Sequence, residues 1–201
     1  MIRKSDRLRR DFFSQHTTVD LARALIGKKL VTSDRGARTS GMIVEVEAYL
    51  GHGDSACHAA RGMTPRNRVM FTAAGHCYVY VIYGIHYCVN IVSEVEGIGS
   101  GVLLRAIEPI EGIAAMERRR ASRIKRDLAR GPGRLCQTMG INKSHLGQHV
   151  SDSCQIWLEP YRDVSADEIA SSERIGVSSG IKLPLRFFLR GNLYVSGSSR
   201  A

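Results

Sequence analysis

Short runs of residues that favour β-strands recur along the chain, and they limit its fold more than any other feature of the sequence. Polar or glycine-containing turns separate these runs, as expected for strands of one sheet. The runs are KKLVTS (28–33), MIVEVEAY (42–49), CYVYVIY (77–83), HYCVNIV (86–92), GVLLRAI (101–107), IWLE (156–159) and LRFFLR (185–190). The third and fourth runs flank Gly84 and predict a β-hairpin.

Helical signals are fewer and lie between the predicted strands. Thr17 and Asp20 resemble a capping box at the start of VDLARALI, and Gly27 would end that helix. Pro109 is predicted to open a second helix over residues 109–129, because proline is tolerated in the first turn. Strands with inserted helices predict an α+β fold around an antiparallel or mixed sheet. The 201 residues contain no linker or repeat, so we expect a single domain over residues 1–201.

The charge balance indicates a polyanionic partner. Lys and Arg total 29 against 19 Asp and Glu, a formal net charge of +10. The excess is concentrated in residues 117–134, with eight basic and two acidic side chains, and in residues 1–10, with five and one. Such clusters favour nucleic acid or an anionic membrane face, and solubility alone is the alternative interpretation. A basic membrane helix is disfavoured, since residues 117–134 contain few large apolar side chains.

The sequence also limits the compartment and the kind of site. No apolar run approaches the ~18 residues of a membrane span, and the basic start lacks the apolar segment of a signal peptide. We therefore expect an intracellular, cytoplasmic protein, associated with the nucleoid if it is bacterial. The five cysteines form no CxxC pair, which argues against a disulfide framework or a cysteine-rich zinc site and favours reduced thiols.

Two carboxylates interrupt the second of the predicted strands. Glu45 and Glu47 share one strand face with Ile43 and Tyr49, and alternate residues lie ~6.5 Å apart along a strand. Such a pair beside a tyrosine can raise the pKa of one member towards the working pH, which suits a general base. The alternative interpretation is a solvated edge strand.

Tyrosines are concentrated in the predicted hairpin, although aromatic residues make up only 6% of the chain. They can line a slot for a flat heterocycle, where each stacked base contributes ~1–3 kcal/mol, and strand propensity is the alternative explanation. Tyr83, just before Gly84 at the hairpin tip, is poorly placed for a core and well placed as a wedge between stacked bases. The hairpin tyrosines are Tyr78, Tyr80, Tyr83 and Tyr87, and Tyr49 and His58 precede them.

Asn90 and Arg105 are polar residues inside apolar strand runs. A buried arginine needs a carboxylate or an ordered polar site, and Glu45 or Glu47 is the natural partner, with a purely structural ion pair as the alternative. The signatures of phosphate-binding loops, zinc sites and acyl-transfer nucleophiles are missing, so we expect no metal and no cofactor. What remains is an acid–base site with an aromatic slot on a basic protein.

Several ordered blocks together resemble one family. With His58, they occur in the order seen in the 3-methyladenine DNA glycosylases of the alkyladenine (N-methylpurine) type, from about Asp11 to Val195. The resemblance implies an α+β single domain, with a curved antiparallel or mixed sheet, surrounding helices and a protruding β-hairpin. The blocks are IVEVEAYLG (43–51), TPRNRVMF (64–71), YVYVIYGIHYCVN (78–90), LLRAIEPIEG (103–112), GPGRLCQ (131–137), RIGV (174–177) and LPLRFFLRG (183–191).

The resemblance also implies an activity, that of a monofunctional base-excision-repair glycosylase. Such an enzyme flips an alkylated purine out of double-stranded DNA, hydrolyses the N-glycosidic bond and leaves an abasic site. Glu47 is implied as the general base that activates water, and Arg105 as the partner that helps to hold the water and the base in place. Glu45 would have a supporting role.

The remaining matched residues are implied to bind the substrate. Tyr49 and His58 would form one wall of the base pocket and Tyr80 the facing wall. Asn90 would screen purines by their minor-groove-side substituents. Tyr83 would intercalate and fill the gap left by the flipped nucleotide.

The chain departs from the family pattern at the rim of this pocket. His52 and Gly53 stand where a proline and an acidic or small residue are expected, and the loop before TPRNR is short. Methylated adenine, other alkylated purines, and deaminated or ring-extended purines therefore all stay open as substrates. A non-catalytic nucleic-acid-binding module and an O-glycoside hydrolase using Glu45 and Glu47 also stay open. We expect a monomer, since no helix shows an obvious apolar stripe.

Overall fold

An eight-stranded sheet forms the frame of the residues that this computed structural model describes, which are 6–34, 36–177 and 183–197. Along the sheet the order is β3-β4-β5-β2-β1-β6, while β8 pairs with β2 and β7 pairs with β8. All seven of these strand-to-strand pairings are antiparallel, and the sheet curls into a half-barrel. The strands are β1 (Lys29–Asp34), β2 (Ala37–Tyr49), β3 (Cys77–Ile82), β4 (His86–Val92), β5 (Gly101–Glu111), β6 (Ile156–Glu159), β7 (Ile169–Ser172) and β8 (Arg186–Leu189).

Every predicted strand run overlaps one of these strands, so the predicted α+β fold is confirmed in its antiparallel form. The predicted hairpin is confirmed as β3 and β4, joined by residues 83–85 at one edge of the sheet. That the hairpin protrudes stays a prediction. Strand β7 was not among the runs recognised in the sequence, because IASS has only two apolar residues in four.

Strand β2 lies in the middle of the sheet, and its irregular register prepares the site. It pairs with β1 and β8 on one side and with β5 on the other, so the interpretation of Glu45 and Glu47 as part of a solvated edge strand is wrong. Register shifts on either side of Glu45 leave Val44 and Arg105 as extra residues in their strands. Bulges of this kind bend a strand and redirect its side chains.

Four helices accompany the sheet in the described ranges: α1 (Arg10–Ser14), α2 (Thr18–Leu25), α3 (Ile113–Arg120) and α4 (Pro132–Met139). The predicted start of α2 is confirmed, because the Thr17 side chain accepts a hydrogen bond from the backbone N–H of Asp20 at 3.2 Å. Gly27 follows the helix with a φ of +83°. A Cβ at Gly27 would lie 2.5 Å from the carbonyl oxygen of Arg162, so glycine is required there.

The predicted helix over residues 109–129 is wrong at both ends. Strand β5 continues through Pro109 to Glu111, and the register shift beside Gly41 accommodates the proline, which cannot donate a ladder hydrogen bond. Helix α3 begins only after Gly112, whose φ is +73°. It ends at Arg120, because Ala121 adopts a left-handed conformation with a φ of +48°. Pro109 is therefore compatible with a strand as well as with the first turn of a helix.

The apolar core lies between the sheet and the helices. Helix α2 contributes Leu21 and Leu25, and α4 contributes Leu135 and Met139, all fully buried against strand residues. The five cysteines are free thiols, as predicted, and only Cys154 is exposed. Among the described residues, no helix is both long enough and apolar enough to span a bilayer.

Candidate active site

Glu47 is a fully buried carboxylate held by three donors. Tyr49 donates its hydroxyl proton to Oε2 at 2.9 Å, and the backbone N–H of Ile175 donates to Oε1 at 2.7 Å. The guanidinium Nη1 of Arg105 lies 3.2 Å from the same Oε1. Strand alternation after the bulge places Glu47 and Tyr49 on the same face of β2, where these donors converge.

Burial and hydrogen bonding act in opposite directions on this carboxylate. Burial raises the pKa of Glu47 and is the largest effect, since a charge is poorly solvated there. The Arg105 charge and the hydrogen bonds from Ile175 and Tyr49 lower it, and the neighbouring Glu45 raises it. The net pKa lies above the ordinary glutamate value, which is the direction that makes a carboxylate a better proton acceptor.

Glu45 is buried as deeply but has a different environment. Its Oε1 accepts hydrogen bonds from Arg105 Nε at 3.1 Å, from Arg186 Nε at 2.7 Å and from the Ser196 hydroxyl at 2.8 Å. Its Oε2 accepts from the backbone N–H of Ser196 at 2.6 Å. The predicted partnership of Arg105 is therefore confirmed with both carboxylates. Arg105, Arg186 and Ser196 thus donate to the two carboxylate oxygens of Glu45. Glu45 therefore holds Arg105 in place and is poorly placed to exchange a proton with another group.

A cavity of about 200 Å³ is lined by Tyr49, whose hydroxyl donates to Glu47, while Glu47 itself is not among the described residues that line it. The cavity brings together the four residues predicted to bind the base, namely Tyr49, His58, Tyr80 and Asn90. The Glu47 carboxylate lies behind Tyr49, from whose hydroxyl it accepts a hydrogen bond. The remaining lining residues are Ala56, Met70, Tyr78, Ile82, Gly176 and Val177.

Aromatic rings order the walls of this cavity. The rings of Tyr78 and Tyr80 are stacked with centroids 5.4 Å apart, and the ring of His58 meets Tyr80 edge-on at 4.5 Å. His58 Nδ1 and the Tyr78 hydroxyl are 3.0 Å apart, which fixes the imidazole although it lies at the exposed mouth. Burial and the nearby charge of Arg66 lower the pKa of His58, so this wall is uncharged at neutral pH. Asn90 is buried and donates from Nδ2 to the carbonyl of Tyr78 at 3.3 Å.

Tyr83 lies at the hairpin tip, beyond the cavity-lining Tyr80 and Ile82 of β3. Its side chain is 88% exposed, and its backbone has a φ of +50°, which is unusual for a residue other than glycine. Gly84, next in the turn, also has a positive φ. An exposed ring on a strained turn does not contribute to the apolar core. The hairpin tip is therefore a candidate point of contact with a ligand.

The sequence reasoning missed a second group of residues on which the site depends. Arg174 and Asp54 form a buried ion pair beside Tyr49, and Ile175 supplies a donor to Glu47 through its backbone. Arg186 neutralises Glu45. A backbone donor has no side-chain signal, but Arg186 stands among apolar residues in the block LPLRFFLRG, which was a usable signal of its burial.

The basic segment 117–134 divides into structural and exposed side chains. Arg119 donates to the carbonyl of Thr138 at 2.9 Å, Arg120 to the carbonyl of Leu128 at 3.1 Å, and Arg130 to the carbonyl of Val195 at 2.7 Å. The segment also contacts the site, since the N–H of Gly131 donates to the carbonyl of Arg105 at 3.1 Å. The exposed cations are Arg118, Arg123, Lys125, Arg126 and Arg134. The first five residues of the other basic cluster, 1–10, lie outside the described residues.

Comparison with known proteins gives a consistent result. Residues 11–193 match the family described as methylpurine-DNA glycosylase. A protein of Chlorobaculum tepidum, provisionally named 3-methyladenine DNA glycosylase, is 50% identical over 192 residues, which cover 94% of this chain and 90% of the relative. A protein of Chlorobaculum parvum with the same provisional name is 48% identical over 92% of this chain and 88% of its own length. A protein of Encephalitozoon cuniculi, with the provisional name DNA-3-methyladenine glycosylase, is 47% identical over 88% of this chain and 86% of its own length.

Proposed function

This chain belongs to the methylpurine-DNA glycosylase family, and we propose that it releases alkylated purines from duplex DNA by base flipping and attack of a water activated by Glu47. The chain is a DNA glycosylase of base-excision repair, and DNA is its substrate. The observation that carries the finer proposal is the buried Glu47 carboxylate behind an aromatic cavity.

The cavity supports recognition of a single base. Its volume of about 200 Å³ is below the roughly 300–1,000 Å³ of pockets for larger ligands, so it suits one flat heterocycle. The purine is proposed to lie between Tyr80 on one side and Tyr49 with His58 on the other, which requires the His58 ring to move away from the Tyr80 ring, now at a centroid distance of 4.5 Å. An alkylated purine that carries a positive charge gains ~0.5–2 kcal/mol from the tyrosine faces, and a neutral His58 does not repel it.

The hairpin tip supports entry into the duplex. Tyr83 inserts its exposed ring where the nucleotide leaves the stack, while Tyr80 and Ile82 of the preceding strand β3 line the cavity that receives the base. Extrusion costs a few kcal/mol, and less for a damaged base that pairs poorly. Selectivity therefore begins before the base reaches the pocket.

Hydrolysis proceeds with water as the nucleophile. Glu47 takes a proton from a water molecule whose oxygen forms a bond to the anomeric carbon of the sugar. The bond between that carbon and the purine nitrogen breaks, and its electron pair leaves with the purine. The Glu47 charge also stabilises the oxocarbenium-like transition state. No amine nucleophile takes part, so the product is an abasic site in an unbroken strand.

Arg105 keeps Glu47 available as a proton acceptor. Its guanidinium stands between Glu45 and Glu47, at 3.1 and 3.2 Å, and favours the ionised form of Glu47. The same geometry disfavours an O-glycoside hydrolase with Glu45 as its acid, because hydrogen bonds from Arg105, Arg186 and Ser196 occupy both oxygens of Glu45.

Asn90 limits which purines enter. Its amide is held by the carbonyl of Tyr78 on the floor of the cavity, so a substituent on the facing edge of the purine meets a fixed polar group. Alkylated purines are the proposed principal substrates, and deaminated purines of the same shape are a proposed secondary class.

The test is an incubation of the purified chain with methylated duplex DNA, scored for free purine and for strand breaks before alkali treatment. The proposal predicts free methylated purine with strands broken only after alkali. Bound DNA without released purine would instead support a non-catalytic binding module, and strand breaks without alkali would contradict water as the nucleophile.

A further inference from the structure

Arg174 connects three separate parts of the site. Its Nη1 donates to Asp54 Oδ2 at 2.6 Å and to the carbonyl of Ala48 at 3.0 Å, and its Nη2 donates to Asp54 Oδ1 at 2.7 Å. Its guanidinium carbon lies 4.5 Å from the centroid of the Tyr49 ring. The side chains of Arg174 and Asp54 are 2% and 1% exposed, so neither is available as a surface charge.

Asp54 links Arg174 to the backbone of the loop at the cavity rim. Its Oδ2 also accepts from the N–H of Leu50 at 3.0 Å, and its Oδ1 accepts from the N–H of Ala56 at 3.1 Å. Ala56 lines the cavity. These hydrogen bonds and the charge of Arg174 lower the pKa of Asp54 despite its burial. The carboxylate therefore joins the end of β2, the rim loop and Arg174 in one rigid unit.

The residues that follow Arg174 lead directly to the reacting groups. The N–H of Ile175 donates to Glu47 at 2.7 Å, and Gly176 and Val177 line the cavity. Arg174 is the first residue of this stretch, so the position of its side chain determines where the Ile175 N–H points. It also covers a face of the Tyr49 ring, whose hydroxyl is the other neutral donor to Glu47.

We propose that Arg174 is a positioning residue of the reaction: paired with Asp54, it holds the Tyr49 hydroxyl and the Ile175 amide on Glu47 and keeps the pocket wall in place. This inference rests on the proposed role of Glu47 as the general base. Arg174 itself does not touch the base or the water. Arginine is suited to the task because only its planar fork satisfies a carboxylate in two places while stacking on a ring.

The test compares Arg174→Lys with Arg38→Lys. Arg38 is a matched control at the far end of β2, since its Nη2 donates to both oxygens of Glu159 at 3.1 Å and its guanidinium carbon lies 5.7 Å from the centroid of the Trp157 ring. We expect the single-turnover release of methylated purine to fall by about 10- to 100-fold in Arg174→Lys and to stay unchanged in Arg38→Lys. Affinity for duplex DNA with an abasic-site analogue should stay unchanged in both.

The pH profile separates positioning from a general loss of folded protein. Both donors that Arg174 holds lower the pKa of Glu47, so their displacement raises it. A general base loses activity as the pH falls through its pKa, and the acidic limb of the excision profile should therefore move to higher pH in Arg174→Lys. A lower amplitude with an unmoved limb would overturn the proposal. Should Arg174→Lys fail to fold, Asp54→Asn keeps the shape of the pair and must show the same shift.

A measurement without substrate distinguishes this inference from the proposed function. An amide proton bonded to a buried carboxylate resonates far downfield, so the Ile175 amide signal should move upfield in Arg174→Lys and stay in place in Arg38→Lys. An unmoved signal would overturn the positioning role. If the Ile175 amide signal moves but the parent protein releases no purine, the positioning role of Arg174 is supported and only the proposed function is contradicted.

Discussion

At the scale of single residues, the site depends on a buried carboxylate whose pKa is raised by burial and lowered by the groups that donate to it. An isolated carboxylate removed from water is strongly destabilised, and it remains charged only with a positive partner and several donors. Glu47 has Arg105, the Tyr49 hydroxyl and the Ile175 amide. A change in any of these groups is therefore expected to change the pKa of Glu47.

Removal of the Tyr49 hydroxyl tests this account. Tyr49→Phe keeps a ring in the pocket wall and removes one hydrogen bond that lowers the pKa of Glu47. Since Glu47 must be deprotonated to act as the general base, we expect purine excision to be lost first at low pH. The acidic limb of the plot of excision rate against pH should therefore move to higher pH. The rate against pH for both proteins checks this, and Tyr161→Phe is the control at a half-exposed ring outside the site. Superimposable profiles would show that the hydroxyl does not act on Glu47.

Residue types pointed to part of the site, and the family resemblance implied the rest. Glu47, Tyr80 and Asn90 stand out as polar or aromatic residues in strand runs, whereas the grouping of Tyr49, His58, Tyr80 and Asn90 around one pocket was implied by the resemblance. Their roles stay predictions. The partners that hold them, such as the Arg174–Asp54 pair, are far apart in the chain, and no local pattern specifies which arginine meets which carboxylate.

At the scale of elements, the hairpin and the basic segment are the parts proposed to meet DNA. The hairpin was predictable because its strands have a strong alternating pattern around Gly84. The segment 109–129 was wrongly predicted as a single helix. The pairing of β5 with β2 outweighs the weak local preference for a helix, and the sequence pattern does not show that pairing. The helical stretch that remains, α3, is eight residues long.

Substitution of Tyr83 tests the wedge. Tyr83→Ser should weaken flipping by roughly five- to 150-fold, the equivalent of one stacked base at ~1–3 kcal/mol, as reported by a fluorescent base analogue beside the lesion. Tyr161→Ser removes a half-exposed tyrosine outside the hairpin and should have no effect on flipping. Tyr83→Gly should weaken flipping equally and leave the Tm unchanged or higher, because glycine relieves the strain of a φ of +50°. A parental flipping signal in either Tyr83 variant would contradict the wedge.

The exposed cations of the basic segment should contribute to the salt dependence of binding. Replacement of Arg123, Lys125 and Arg126 by alanine should flatten the log–log slope of affinity against salt by about 0.9 for each DNA phosphate that these side chains neutralise. Arg162→Ala is the control, since Arg162 follows β6 at the opposite end of the sheet from the hairpin. A parental slope in the triple variant would show that this segment faces away from DNA.

At the scale of the whole molecule, one sheet joins the pocket to every other part of the chain described. The central strand β2 contacts β1, β5 and β8, and the carboxylates lie within it. The antiparallel order and the curl of the sheet were not derivable from strand patterns alone, because those patterns do not specify which strands become neighbours. The bulges that place Arg105 between two carboxylates arise from this pairing.

The predicted single domain over residues 1–201 implies one unfolding event. Trp157, the only tryptophan, is buried in β6 at one end of the sheet, and Tyr78 and Tyr80 stand at the other end. Thermal unfolding followed by tryptophan fluorescence, near-ultraviolet tyrosine signal and far-ultraviolet circular dichroism should give coincident transitions. A tyrosine transition that precedes the tryptophan transition would show that the pocket side unfolds independently.

The most direct test of the account is purine release by Glu47→Gln, which keeps the shape of the side chain and removes its charge. The variant should bind lesion-containing duplex as the parent does and release methylated purine about 10²- to 10⁴-fold more slowly in single turnover. Glu108→Gln, on the neighbouring strand β5, is the matched control and should release purine at the parental rate. Release by Glu47→Gln at the parental rate would contradict the claim that this buried carboxylate activates the water.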